Sequence, residues 1–292
     1  MWTQIGLLTL AMAIWGLAFV AIKVALTDFT PLWMNGLRYL VAAFVLIPIF
    51  IMNKTWTKSW RDLAKPVLAS IFLLLGITLQ TLGLKYTTVA KSSFITCLYV
   101  FLVPLYYSFW GKRFRKRFWG LVLISLVGVG MLCDLKLENF NFGDLLTLIC
   151  VIFCSAHIIY IGKVANSFKS ALEFNGLQCL SFGVIACILG FFFEGPTSLA
   201  PFFDMSKLGY FSSWWAMFIL AIPSGVVAFA IQIHTQKTIP AHVVSLVFLM
   251  ESPFAAGFGY YILNEKLSVL ALLGCVLITV AVGLVSLVEE KK

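Results

Sequence analysis

Apolar stretches of about 20 residues recur from one end of this chain to the other, each long enough to cross a hydrocarbon layer about 30 Å thick as a helix. Ten can be placed, over residues 4–26, 31–53, 64–83, 88–110, 118–133, 144–165, 172–193, 213–233, 239–262 and 268–287. Little length is left over for a soluble domain. Only 11% of the 292 residues are charged, whereas soluble domains carry about 25%. Lipid is therefore the expected solvent. A chain in lipid must satisfy its backbone internally, so the predicted class is an all-α polytopic membrane protein of ten transmembrane helices.

The formal net charge of +9 would suit nucleic acid if it were gathered on one face, but here it is dispersed in short loops. The even-numbered loops, with the span ends beside them and the C-terminal tail, hold 14 Lys and Arg; the odd-numbered loops hold five. This asymmetry predicts cytoplasmic N- and C-termini, and no nucleic-acid partner. Lys23 and Arg38 fall inside spans. Gly111-Lys112-Arg113-Phe114-Arg115-Lys116-Arg117 reads as a topology signal, with anionic headgroups as the alternative reading. Tryptophans at 2, 56, 60, 110, 119, 214 and 215 fall near water boundaries. The start, Met1-Trp2-Thr3-Gln4, has no basic leader, so the first run is expected to stay as a helix. Seven cysteines lack zinc spacing and are odd in number, which predicts neither a disulfide framework nor a metal site. Cys150 and Cys154, one turn apart, read as packing residues. No cofactor is called for, and the stretch from Glu194 to Ser212, with Gly195-Pro196 and Pro201, reads as irregular.

Two spans carry polar stripes. Ser92, Thr96, Tyr99 and Tyr106 fall on one helical face, as do His242, Ser245, Ser252 and Gly259, with Glu251 at mid-depth. A wettable face on each of two membrane helices suggests a central passage. The chain also repeats: residues 23–40 align without a gap on residues 163–180, with eight of 18 positions identical, and Gly120 to Ser125 matches Gly274 to Thr279. A unit of five spans is odd, so the second copy enters the membrane from the opposite side. Residues 1–138 and 139–292 are read as inverted five-helix repeats, whose interface near the midplane is where such carriers bind their solute.

Ionisable groups within a span cost about 2.5 to 3.5 kcal/mol each, so their presence asks for a reason. Glu251, 12 residues into a span of 24, can carry a proton between empty and loaded states, or brace helices as a hydrogen-bonded carboxylate. Arg38, seven residues inside its span, can clamp a carboxylate in two-pronged fashion, or pair with Glu251. His157, near the middle of the sixth span, can relay protons or bond a ligand, or simply be satisfied by a neighbour. Tyr99 and Trp15 are central aromatics for stacking or packing, and Gln178 is the repeat counterpart of Arg38. Gln80 and Gln232, beside the loops that precede the striped spans, are left out of the expected set. Ser252 with Ala256, and Ala255 with Gly259, are small-residue pairs that let helices approach.

Trp15-Gly16 with Phe19 and Lys23, Arg38-Tyr39, Leu98-Tyr99-Val100 with Pro104, Glu251-Ser252-Pro253, and Asn264-Glu265-Lys266-Leu267 with Gly274 stand in this order along the chain. In these residues the chain resembles the EamA-type members of the drug/metabolite transporter superfamily. The resemblance implies a ten-helix inner-membrane carrier of amino acids, related metabolites or other small organic solutes. Gly111-Lys112 departs from the Gly-Glu often found there, whereas Asn264-Glu265 keeps the acid. The expected function is thus a secondary carrier, proton-coupled or exchanging, not an enzyme, working as a monomer or homodimer in the bilayer. Two alternatives stand beside it. One is a membrane enzyme on lipid-linked substrates, for which His157, His234 and His242 with Glu251 are the raw material; the other is a metal-ion carrier using the same histidines. No Walker-type phosphate loop is present.

Overall fold

A computed structural model describes residues 2–132, 140–198 and 212–289, and all regular structure among them is helical. The first half comprises α1 (Trp2–Ala25), α2 (Pro31–Val45), the short α3 (Ile47–Met52), α4 (Trp60–Leu84), α5 (Val89–Thr96), α6 (Tyr99–Phe109) and α7 (Lys116–Leu132). The second comprises α8 (Phe142–Val164), α9 (Ala171–Phe193), α10 (Ser213–Ile219), a π-helical stretch Leu220–Ala228, α11 (Phe229–Thr235), α12 (Ala241–Val247), α13 (Glu251–Leu263) and α14 (Val269–Glu289). Among the described residues seven helical runs are long and apolar enough to cross a membrane. The expected spans at 31–53, 118–133 and 268–287 are helical too but fall outside those seven: the first breaks at Leu46, and the helical run in the second is 17 residues long. The expected irregular stretch beyond Ser198 lies outside the described residues.

The helix starts follow from local chemistry. Ser59, Thr88 and Ser170 each accept, through their side-chain oxygen, the amide of the residue three positions on. Asn141 and Asp144 form a reciprocal capping box at the start of α8. The outer faces of the bundle carry large apolar side chains such as Phe44, Phe192 and Leu123, which only a lipid surround tolerates.

The spans expected at 88–110 and 239–262 are not continuous rods. The first breaks at Cys97-Leu98, between α5 and α6, and the second passes through a 3-10 turn, Phe248–Met250, between α12 and α13. Pro253 withholds the N–H that the Leu249 carbonyl would accept, which explains why the ladder loosens there. The span at 213–233 loosens in the π-helical stretch around Pro223. There the carbonyls of Gly225 and Val226 accept from the buried Asn175 Nδ2, at 2.8 and 3.2 Å.

Helices from the two halves pack against each other: α2 on α9, α4 on α8, α7 on α14 and α1 on α13. Two glycines show how close they come. A Cβ at Gly16 would lie 2.6 Å from the Phe254 Cβ, and one at Gly83 would lie 2.6 Å from the Gly143 carbonyl oxygen. Ala255, one of the small residues singled out above, supplies the backbone against which Gly16 rests. Helix α9 is held at both ends. Glu194, after α9, accepts from the backbone N–H groups of Leu32 and Trp33 and from the Thr30 hydroxyl at the start of α2. Glu173, in the first turn of α9, accepts from Thr55 Oγ1 at 2.7 Å beyond the end of α3, with Lys58 Nζ at 3.8 Å.

Candidate functional site

The two helix breaks meet inside the bundle. Tyr99 is the first residue of α6 and Glu251 the first of α13, and the Tyr99 hydroxyl donates to the Phe248 carbonyl at 3.0 Å and to Glu251 Oε2 at 3.2 Å. A backbone carbonyl of the 3-10 turn thus shares one donor with a buried carboxyl. Together they border a cavity of about 70 Å³, measured as space for the centre of a water molecule. A cavity needs only about 10–15 Å³ to hold one water, so this one is large enough to be wetted.

Five of the six expected site residues line this cavity: Trp15, Arg38, Tyr99, His157 and Glu251. Gln178 does not. It lies behind His157, whose Nε2 is 3.0 Å from Gln178 Oε1, and so fixes the imidazole from outside the cavity. Trp15 packs on Phe229 and Phe248 with ring centroids 4.8 and 5.3 Å apart, which makes an aromatic wall.

Arg38 stands differently from the reading in which it pairs with Glu251. It is 3% exposed, and no hydrogen-bond or ion-pair partner is present among the described residues; its guanidinium carbon is 4.9 Å from the ring centroid of its neighbour Tyr39. The acceptor side of Glu251 meets the Tyr99 hydroxyl, and no ion pair joins it to Arg38 among the described residues. Two further buried polar atoms of cavity-lining residues have no partner among the described residues, the donor Trp15 Nε1 and the acceptor Gln232 Oε1. Orphaned buried polar atoms are uncommon, and with Arg38 Nε they mark the cavity as a place that awaits hydrogen-bonding company.

Gln80 and Gln232, left out of the expected set, both line the cavity. Gln80 Nε2 donates to Thr96 Oγ1 at 3.1 Å and Gln232 Nε2 to Gln236 Oε1 at 2.9 Å. A signal for them was present: each stands eight residues before the N-cap of a broken helix, Thr88 or Pro240. The stripe of the ninth span does not face the cavity as expected. His242 is instead packed among Tyr107, Phe114 and Phe118, 3.4 Å from Lys112 Nζ, and Ser252 meets Cys97 Sγ at 2.9 Å. Of the other stripe, Thr96 and Tyr99 reach the cavity, Ser92 is buried apart from it, and Tyr106 lies on a different groove. The three histidines occupy separate surroundings, and among the described residues no three His, Cys, Asp or Glu side chains are grouped as metal ligands would be.

The EamA-like transporter family matches the chain twice, over residues 2–133 and over residues 141–287. The chain belongs to this family. An "uncharacterized transporter" of Archaeoglobus fulgidus is 30% identical over 98% of this chain and 86% of its own length. The uncharacterized transporter YoaV of Bacillus subtilis is 23% identical over 94% of this chain and 93% of its own. A solved crystal structure shares the fold with a TM-score of 0.76 at 17% identity, over 99% of this chain and 98% of the other. This EamA-family chain is therefore a multi-pass membrane transporter, and the cavity at the helix breaks is its candidate solute site.

Proposed function

We propose that this EamA-family protein is a secondary carrier of small amphipathic metabolites that bear a carboxylate, amino acids among them, working by alternating access with Glu251 as the proton-exchanging group. The observation that carries the reading is Arg38: a buried guanidinium on the cavity wall with no acid partner, ready for two-pronged recognition of a solute carboxylate. Trp15, Phe229 and Phe248 offer an apolar and π-rich face to the rest of the solute. Glu251, with one donor from Tyr99, can take a proton or face an ammonium group.

The layout that goes with this is ten helices in two inverted five-helix repeats, residues 1–138 and 139–292, with both termini cytoplasmic. Its support is reciprocal packing. Gly36 of α2 lies against Cys187 of α9, while Gly176 of α9 lies against Leu46 and Phe50 at the end of α2 and in α3. The equivalent Asn35 and Asn175 each reach the next membrane helix of their own half, at Thr81 and at Gly225. The fourth span of each half is broken, at Cys97-Leu98 and at Phe248–Met250, and the family matches each half separately. Broken helices at matching positions are the hallmark of a midplane solute site.

The test is thermal stability of the purified protein with candidate solutes, because a ligand of the folded state stabilises it by mass action. A panel of amino acids and related carboxylates should raise the melting temperature while their amides and zinc do not. Stabilisation by zinc alone would turn the reading to a metal-ion carrier.

A further inference from the structure

A second cavity, of about 430 Å³, lies between α4, α6 and α8 and opens to the outside of the bundle, where Ile152 is exposed. Its walls are Phe72 of α4, Leu102 and Tyr106 of α6, and Ala156, Ile159 and Tyr160 of α8. They belong to a different face of α8 from Cys154, His157 and Ile158, which border the solute cavity. From Ile152 to Lys163 the groove follows α8 for about 16 Å, close to the half-thickness of a hydrocarbon layer, about 15 Å.

Lys163 closes one end. Its Nζ donates to the Tyr106 hydroxyl at 3.0 Å and sits 5.2 Å from that ring, and no carboxylate lies within ion-pair distance among the described residues. An ammonium has three donors, so two remain for an incoming acceptor. Tyr106 also fixes which end this is: α6 runs on from Tyr106 into the exposed basic loop 111–117, so the groove's polar end faces the most positive edge of the molecule. The apolar groove between α2 and α9, around Leu40 and Phe44, has no such group and would take any lipid tail.

We propose that the α4–α6–α8 groove seats one acyl chain of an anionic phospholipid whose phosphate is held by Lys163 Nζ. The tail gains little by leaving bulk lipid, so selection rests on the headgroup. One lysine near the membrane surface contributes about 1 kcal/mol toward an anionic headgroup, which is roughly fivefold in affinity.

The experiment uses the full-length purified protein in detergent, titrated with dioleoylphosphatidylglycerol and with dioleoylphosphatidylcholine, and counts bound lipid by native mass spectrometry. Phosphatidylglycerol should bind at least about fivefold more tightly. Lys163→Gln should level the two lipids, and Ala156→Phe, which fills the groove, should weaken both without touching the charge. The proposal is overturned if Lys163→Gln keeps the full preference, if neutralising Arg113, Arg115 and Arg117 alone abolishes it, or if glycerol phosphate without acyl chains competes as well as the lipid. Because the two variants remove different parts of the site, failure of one to fold leaves the other to decide.

Discussion

Replacing Arg38 by Met sets two quantities in opposite directions. In the solute-free protein the guanidinium is 3% exposed and faces no acid, and its sole compensation is the Tyr39 ring at 4.9 Å. A cation at depth in a membrane helix costs about 2.5 to 3.5 kcal/mol, and a cation–π contact returns about 0.5 to 2 kcal/mol. Arg38→Met, which keeps much of the side-chain length, should therefore stabilise the empty protein by about 1 to 3 kcal/mol, visible as a higher melting temperature in detergent. A solute carboxylate would lose a charge-assisted contact of about 1.5 to 3 kcal/mol, so half-saturation of uptake in proteoliposomes should rise roughly 10- to 150-fold. A residue kept for binding at the expense of stability leaves this signature. If the variant melted lower than the parent while its uptake saturated at the same concentration, Arg38 would be a structural brace and the argument would fail.

Glu251→Gln can still accept from Tyr99, so folding should survive while uptake loses its dependence on an imposed pH gradient; solute exchange without a gradient should persist. An unchanged response to the pH gradient would reduce Glu251 to a structural role. Cysteines placed at Lys54 and Arg115 should both label from the cytoplasmic side, and one at Lys85 from the outer side; a split between Lys54 and Arg115 would break the inverted-repeat layout.

Much of this architecture is written in apolar run length. The long rods and their starts at Ser59, Thr88, Asn141 and Ser170 follow from hydropathy and capping chemistry that act over a few residues. Arg38, Tyr99, His157 and Glu251 were readable for a similar reason, since polar groups in mid-span are expensive and few, and Trp15 was readable as a central aromatic. What the sequence hid is tertiary. A helical wheel for an unbroken rod puts His242 and Ser252 on the same face as Ser245, but the 3-10 turn at Phe248–Met250 rotates one half against the other. His242 consequently points into the aromatic cluster of Phe114 and Phe118. The separation of Arg38 from Glu251 was hidden too, because opposite charges in one membrane suggest a pair, and only the packing of their separate helices decides whether they meet. Gln80 and Gln232 were missed because a glutamine near a span end reads as a boundary residue until the fold turns it inward.

The clasps of Glu194 and Glu173 at the two ends of α9 have a mechanical meaning. Glu194 ties the end of α9 to the start of α2, and Glu173 ties the start of α9 to the turn beyond α3, so α9 cannot slide without breaking several charge-assisted bonds at once. In the proposed alternating-access cycle, α2 and α9 would then be the stationary pair and would keep Arg38 at one depth. The jointed helices that carry Tyr99 and Glu251 would be the moving parts, uncovering a solute held by its carboxylate first on one side and then on the other.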